Sequence, residues 1–356
     1  MKMKAAIYYG PGDIKVEEIE RPEAGDDGMV MKVEACGICN FIDIPRYKRK
    51  LGDHATGIAL GHEFSGEVVQ IGSRVTAVKL GDRITGLSFR PCHRCKSCLA
   101  GDYAKCSNFA QGTAGSWING GFAEYLWFPF VSEDNIIKLP DSMSYRDASF
   151  IEPVTVGVGL ASKAKAGDVV VYLGQELMGL ATVAQLKARG AKVIVGDISK
   201  KRLQKALEVG ADIVVSESDE DIYKVVMDLT SGVGADVVIE TAGRPTTFLQ
   251  SIDLVRQHGT IWNAAVYDGP FMFDPSLQRL ERPRSNLTQK NGISIRNPWL
   301  TFEDRTTRRM QAIGLIQSGK ITAAKYADHI FPLKNIKEAF EAALDPYESI
   351  KVIVEP

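Results

Sequence analysis

Asp168-Val-Val-Val-Tyr-Leu173, followed at once by Gly174-Gln175-Glu176-Leu177-Met178-Gly179, is the stretch on which the fold turns. A continuous apolar run suits a strand buried on both faces, as in a parallel sheet. Gly174 ends the run. From about Gly179 to Arg189 the pattern is helical, and Gly190 stops it. Ala191–Val195 reads as the next strand, closed by Asp197, and Lys200–Val209 as a helix with Gly210 behind it. Ala235–Glu240 and Gly259–Ala264 read as two further strands. Strands alternating with helices in this way predict an α/β chain with a doubly wound parallel sheet.

Outward from that core the texture changes near Pro153. Lys4–Tyr8, Met29–Cys36, Glu63–Ile71 and Arg83–Leu87 are short runs rich in Val, Ile and aromatic residues, punctuated by Gly, Pro and Asp. Residues 1–153 are therefore expected to form a β-rich domain and residues 154–294 the parallel-sheet domain. In the tail, Arg308–Ser318 and Asn335–Leu344 look helical and Ser349–Val354 strand-like. Residues 295–356 are expected to return to the first domain.

The chain has 356 residues, 45% hydrophobic and 24% charged, with a net charge of −1. That balance is ordinary for a globular protein of two domains. It supplies no field to recruit nucleic acid or an anionic membrane. No apolar run approaches the roughly 20 residues that span a bilayer. Met1-Lys2-Met3-Lys4 leads straight into a strand-like stretch, with nothing that reads as a signal peptide, so a cytoplasmic location is expected.

The turn after the first parallel strand approximates the G-x-G-x-x-G dinucleotide fingerprint. In that motif the first Gly makes the turn, the second admits the pyrophosphate and the third lets helix and strand pack. Gly174 and Gly179 fill the first and third places, and Leu177 and Met178 complete the turn. Asp197 follows Gly174 by 23 residues, where an acid accepts from ribose hydroxyls and repels a 2′-phosphate, which favours NAD. Arg202, just beyond, belongs to the same cofactor set. Glu176 replaces the second Gly. A carboxylate about 5 Å from a phosphate charge, at an effective dielectric near ~20, costs about 3 kcal/mol. That is roughly a hundredfold in affinity, most of it lost to screening if the side chain swings into solvent.

Cys92, Cys95, Cys98 and Cys106 form a C-x2-C-x2-C-x7-C run. Four thiolates this close converge on one tetrahedral cation, and zinc suits an all-sulfur site better than a disulfide framework or an iron–sulfur cluster does here. Upstream, Cys39, His62 and Glu63 offer a thiolate, an imidazole and a carboxylate, and Glu152 lies at the expected domain boundary. Three protein ligands with one position open is the pattern of a catalytic zinc, which eases loss of a hydroxyl proton ahead of hydride transfer. Read alone, Gly61-His62-Glu63 also fits a polar cluster at a strand edge, and Cys36 and Cys39 fit buried thiols.

Together these segments resemble the zinc-containing medium-chain dehydrogenase/reductase family, and within it the polyol dehydrogenases. The resemblance spans the chain and rests on Cys36-Gly37-Ile38-Cys39, Gly61-His62-Glu63-Phe64-Ser65-Gly66, the four-cysteine lobe, Gly120-Gly121-Phe122-Ala123-Glu124-Tyr125 and Ile151-Glu152-Pro153. It implies a GroES-like catalytic domain interrupted by a Rossmann domain, and NAD-dependent oxidation of a polyol, sugar alcohol or cyclitol. It implies one catalytic zinc held by Cys39, His62 and Glu63 with Glu152 as a direct or water-mediated ligand. The structural zinc is implied on the four cysteines, and a homodimer or homotetramer is implied as the assembly. Cys36 matches a position that is usually not a ligand.

The chain departs from the family after the ligand cysteine. The usual Ser or Thr that relays the substrate proton is replaced in Cys39-Asn40-Phe41-Ile42-Asp43, which reads as a one-residue insertion with Asp43 matching the family's Asp. Glu152 or His54 is then the expected proton route. Arg279, Arg282, Arg284 and Arg296 are candidates for holding an anionic substrate group, with Trp299 and Phe41 as apolar walls. An amino alcohol or apolar alcohol as substrate, or a zinc protein with weakened NAD binding and another role, are the competing readings.

Overall fold

The computed structural model describes residues 1–49, 55–267, 292–297 and 305–356. The chain divides into two compact units. One comprises Met1–Pro153, Asp304–Asp345 and Lys351–Pro356; the other comprises Val154–Glu303 and Pro346–Ile350.

In the first unit Met29–Gly37 is the central strand. It pairs antiparallel with Glu63–Ile71, with Tyr125–Phe128 and with the returning strand Val352–Glu355. Among the described residues the sheet runs His329–Pro332, Val352–Glu355, Met29–Gly37, Glu63–Ile71, Arg83–Gly86, Ile136–Lys138. A smaller antiparallel sheet joins Lys2–Gly10 to Asp13–Glu20 and Ile58–Ala59. Met31, Val33, Phe64, Phe122, Phe128 and Phe340 fill the core between these elements. The register matters more than the count of strands. Gly37 lies opposite Glu63 on one side and opposite Ile353 on the other.

In the second unit the described strands are all parallel, in the order Ile213–Ser216, Lys192–Asp197, Val169–Leu173, Ala235–Glu240, Val255–Asn263, Ser294–Arg296. Numbered along the chain this is 3-2-1-4-5-6, the doubly wound order, whose direction reverses between Val169–Leu173 and Ala235–Glu240. Helices Leu177–Ala188, Lys200–Val209, Ile222–Leu229 and Pro245–Leu254 provide crossovers. Ser199 caps the second of these, accepting from the Arg202 N–H, and Gly210 ends it in the left-handed region. Val171, Leu173, Ile194, Val238 and Ile261 are fully buried in its core, as the apolar run requires.

The α/β class and the GroES-like plus parallel-sheet architecture are those expected. Arg296 is placed differently. Instead of returning to the β-rich unit, Ser294–Arg296 pairs with Val255–Asn263, with Arg296 opposite Trp262. Its guanidinium lies 5.8 Å from the Trp262 ring. Among the described residues Ser294–Arg296 is the last strand of this sheet, and its backbone pairs through Val255–Asn263, so the domain assignment follows the ladder rather than the chain position. Among the described residues, no helix is long and apolar enough to cross a membrane.

Candidate metal and dinucleotide sites

The strand register assembles the first cluster. Glu63 opens Glu63–Ile71, His62 precedes it, and Cys39 follows the end of Met29–Gly37. One ligand atom from each of Cys39, His62 and Glu63 falls within 4.8 Å of the others, and all three side chains are buried. Asp43 begins the helix Asp43–Lys48 and is fully buried. Its carboxylate accepts the Cys39 N–H at 3.0 Å and stands 3.8 Å from His62 Nδ1. A ligand imidazole is oriented by what its second nitrogen meets, and Asp43 is placed for that task.

Lys351 escaped sequence reading. Its Nζ forms an ion pair with Glu63 Oε2 and donates to the Ile38 carbonyl at 2.9 Å, with both charged side chains almost wholly buried. Gly37 makes room for this pair. A Cβ at position 37 would lie 2.2 Å from Glu63 Oε2 and 3.0 Å from Lys351 Cε. The available signal was the placement of Lys351 two residues before Ile353, but only the ladder reveals that Ile353 faces Gly37.

Glu152 lies in the first turn of the helix Ile151–Ala161 and outside the tight three-residue cluster. Burial pushes its carboxyl up to about 7, His62 draws it down and Glu63 raises it. Cys36 is fully buried with its Sγ against Gly61 and Gly121, so that a Cβ at those glycines would approach to 2.8 and 2.6 Å. It is a packed core thiol. His54, Arg279, Arg282, Arg284 and Trp299 lie outside the described residues.

The second cluster is Cys92, Cys95, Cys98 and Cys106, again with sulfurs mutually within 4.8 Å and with no disulfide among them. Backbone N–H groups of Cys98 and Ser107 hold the Cys95 thiol down at about 5. The N–H groups of Cys92 and Asn108 point at Cys106 Sγ, at 3.5 and 3.4 Å. Preformed donors around convergent thiols are what a tetrathiolate cation needs, and four sulfurs leave no position open. The three-ligand cluster fits a cation differently: a buried thiol, imidazole and carboxylate converge while Asp43 Oδ1 remains without a hydrogen-bond partner beside His62.

In the parallel-sheet unit the switch point carries the glycine turn. Gly174 has φ +86°, and a Cβ there would lie 2.7 Å from the Ala242 nitrogen. Thr241 Oγ1 donates to the carbonyls of Leu173 and Gly174, tying two strand ends together. Gly179 abuts Gln175 and Tyr172, and Leu177 and Met178 form the buried first turn of the helix. Asp197 accepts from the Gln175 and Ser199 N–H groups, so its carboxylate braces the glycine turn against the next strand. Burial pushes that carboxyl up, and Arg202 opposes the shift from 4.0 Å. The Arg202 Nε and Nη2 donate to the Ser349 carbonyl. Glu176 is half-buried at the N-terminus of the helix, with an extended backbone (φ −143°) that asks for no glycine.

Similarity to known proteins agrees with both units. Residues 25–141 match the alcohol dehydrogenase GroES-like domain and residues 178–307 the zinc-binding dehydrogenase domain. A sorbitol dehydrogenase of Halalkalibacterium halodurans is 30% identical, covering 100% of this chain and 99% of its own. A D-arabitol-phosphate dehydrogenase of Enterococcus avium is 31% identical over 99% of this chain and 97% of its own. A candidate zinc-binding dehydrogenase of Sinorhizobium meliloti 1021, solved with NADP bound, superposes with a TM-score of 0.81 at 29% identity, covering both chains fully.

Two measurements test the clusters. Metal analysis is expected to find two zinc ions per chain, with Cys98→Ser and His62→Ala each losing one; thermal unfolding should fall markedly for Cys98→Ser. Removing Lys351 (Lys351→Met) leaves Glu63 buried and unpaired, with an expected loss of about 3–5 kcal/mol in the metal-free protein. Lys351→Met/Glu63→Gln should recover much of that loss in a double-mutant cycle. With Cys39, His62 and Glu63 gathered in one unit and the glycine turn set at the switch point of the other, the chain belongs to the zinc-type medium-chain alcohol/polyol dehydrogenase family.

Proposed function

We propose that this protein oxidises a secondary hydroxyl of a polyol to a ketone and passes the hydride to NAD. The observation that carries this reading is the convergence of Cys39, His62 and Glu63 within 4.8 Å, a soft, an intermediate and a hard ligand in one buried place. Zinc bound there supplies Lewis acidity, which makes the substrate hydroxyl easier to deprotonate. Cys39, His62 and Glu63 hold it, Asp43 orients His62, and Lys351 positions Glu63. Glu152 takes the hydroxyl proton in place of the missing Ser or Thr relay. The four-cysteine lobe holds a second zinc that braces its loop.

The preference for NAD is supported by two acids at neighbouring strand ends. Asp197 closes Lys192–Asp197, and the Glu217 N–H reaches the Asp197 carbonyl at 3.4 Å. Both carboxylates disfavour a 2′-phosphate. The reduced thiols suit a cytoplasmic enzyme. Among the described residues Ser294–Arg296 is the last strand of the parallel sheet, with Ile295 44% accessible, which suits pairing into a homodimer or homotetramer. No nucleic-acid or membrane partner is assigned.

The test is reduction of NAD and of NADP by zinc-loaded protein over a panel of polyols, amino alcohols and aromatic alcohols. Polyol turnover with kcat/KM at least about tenfold higher for NAD is expected. Turnover confined to amino or aromatic alcohols would replace the substrate assignment, and preference for NADP would replace the cofactor. Glu176→Gly should tighten NADH binding, read by fluorescence, by about tenfold or less, because a half-buried carboxylate is partly screened. Tightening from an undetectable level would instead favour a zinc protein that has left dehydrogenation.

A further inference from the structure

Glu240 is a buried acid outside both metal clusters, and it stands at the switch point of the parallel sheet. It ends Ala235–Glu240, opposite Leu173 on one side and Asn263 on the other, and is fully buried. Three segments meet on its carboxyl group. Oε1 accepts the Gly243 N–H at 3.1 Å and lies 2.7 Å from Thr247 Oγ1, in the first turn of Pro245–Leu254. Oε2 lies 2.6 Å from the hydroxyl of Tyr267, beyond the end of Val255–Asn263. The Gly243 turn and the Val266 segment pack backbone against backbone. Gly243 has φ +73°, and a Cβ there would come within 2.6 Å of the Val266 carbonyl. On the other side, Ala242 abuts Gly174 of the glycine turn. In open α/β sheets a dinucleotide lies in the crevice outside these strand ends. Glu240 therefore ties together the segments that floor that crevice.

The hydrogens of this cluster do not balance if Glu240 is ionised. The Tyr267 hydroxyl lies between Glu240 Oε2 and Asn263 Oδ1, at 2.6 and 3.0 Å. Thr247 Oγ1 lies between Glu240 Oε1 and the Arg244 carbonyl, at 2.7 and 2.8 Å. Four contacts between oxygens thus share two hydroxyl hydrogens, since each hydroxyl donates once. Turning the Asn263 amide so that Nδ2 faces Tyr267 supplies a third. A proton on Glu240 supplies the fourth: Glu240 donates to Thr247, Thr247 to the Arg244 carbonyl, Tyr267 to Glu240 Oε2 and Asn263 to Tyr267. With either orientation of the amide, the protonated acid satisfies one contact more than the carboxylate does. An acceptor left facing an acceptor in a buried place is costly. Burial pushes the Glu240 carboxyl up, against the donors around it. Among the described residues the titratable groups that face Glu240 are Tyr267 and, from Val169–Leu173, Tyr172. Burial pushes both phenols up, so neither ionises near neutral pH.

We propose that Glu240 keeps its proton as a neutral carboxylic acid and is a positioning residue for the dinucleotide, clamping the Gly243 turn and the Asn263–Tyr267 segment at the crevice. This rests on the dinucleotide reading above. Loss of the proton leaves one oxygen contact without a hydrogen and loosens that floor. The proton leaves as pH rises through the elevated carboxyl range, so NADH binding weakens on the alkaline side and is flat on the acid side. The test is NADH affinity, read by fluorescence on zinc-loaded protein from about pH 5 to about pH 9. Wild-type affinity should fall about fivefold across that range, the worth of one hydrogen bond. Glu240→Ala should lose about tenfold at the acid end. Glu240→Gln carries a donor and an acceptor in the shape of the neutral acid, so it should restore most of that affinity and abolish the alkaline fall. Tyr267→Phe should weaken NADH about fivefold. Zinc content should stay at the wild-type value in all three.

Infrared difference spectroscopy reads the acid directly. A protonated-carboxyl stretch at neutral pH that Glu240→Gln lacks and Tyr267→Phe shifts is expected, and its absence overturns the proposal. A wild type whose NADH affinity does not fall with pH overturns the positioning role, as does an alkaline fall that survives in Glu240→Gln. So does a folded Glu240→Gln that binds no better than Glu240→Ala, which marks a carboxylate that only accepts. If the Glu240 variants do not fold, the wild-type pH series and the shift of the infrared band in Tyr267→Phe decide, and a flat series or an unmoved band overturns the proposal. A wild type that binds NADH at no pH overturns the dinucleotide reading and the positioning role with it. The infrared band still reports the proton in that case, so the two failures are distinct.

Discussion

The pair formed by Lys351 and Glu63 across Gly37 is the contact on which the metal cluster depends. Two opposite charges are buried side by side in the β-rich unit, where desolvation is costly and separation is costlier still. Their meeting requires three strands in one register: Glu63–Ile71, Met29–Gly37 and Val352–Glu355. It also requires a residue without a Cβ between them. A one-residue slip of the returning strand would turn Lys351 to the other face and leave the Glu63 carboxylate without its cation. The C-terminal segment thus sets the charge balance of a cluster whose ligands all come from earlier in the chain.

Asp197 does comparable work in the parallel-sheet unit. Its two backbone hydrogen bonds join the glycine turn to the start of the next helix. An acid in this position accepts from a ribose hydroxyl when a dinucleotide binds. Here it also shapes the turn, so its side chain is partly committed before any ligand arrives. Arg202 sits close enough to offset some of its charge. Burial pushes the Glu217 carboxyl up, and the nearby Asp197 carboxylate adds to that shift.

The two kinds of arginine in this chain illustrate how burial sorts function. Arg146 pairs with Glu355 at an exposed surface, where such a pair contributes little. Arg46 and Arg90 are buried with no carboxylate at bonding distance among the described residues. Nothing in composition or spacing marks these two as different from the others. Their meaning comes from what surrounds them.

Much of the chain was legible before folding because its signals are local. The apolar run ending at Leu173, the turn glycines and the cap residues act through backbone geometry and short-range burial, and they determined the alternation of strands and helices. The four cysteines are close enough in sequence to define their own cluster. Cys39, His62 and Glu63 were recognisable as ligand types, although only pairing of their strands brings them within 4.8 Å. The tertiary structure decided the rest: Lys351 against Glu63, Arg296 on the last described strand of the parallel sheet, and Arg46 against the Gly115–Ser116 turn. Each depends on strand register or on helix facing, quantities fixed by contacts between segments far apart in the chain. A local pattern can name a residue's chemistry, but the charge that residue meets once buried is set by partners it acquires only on folding.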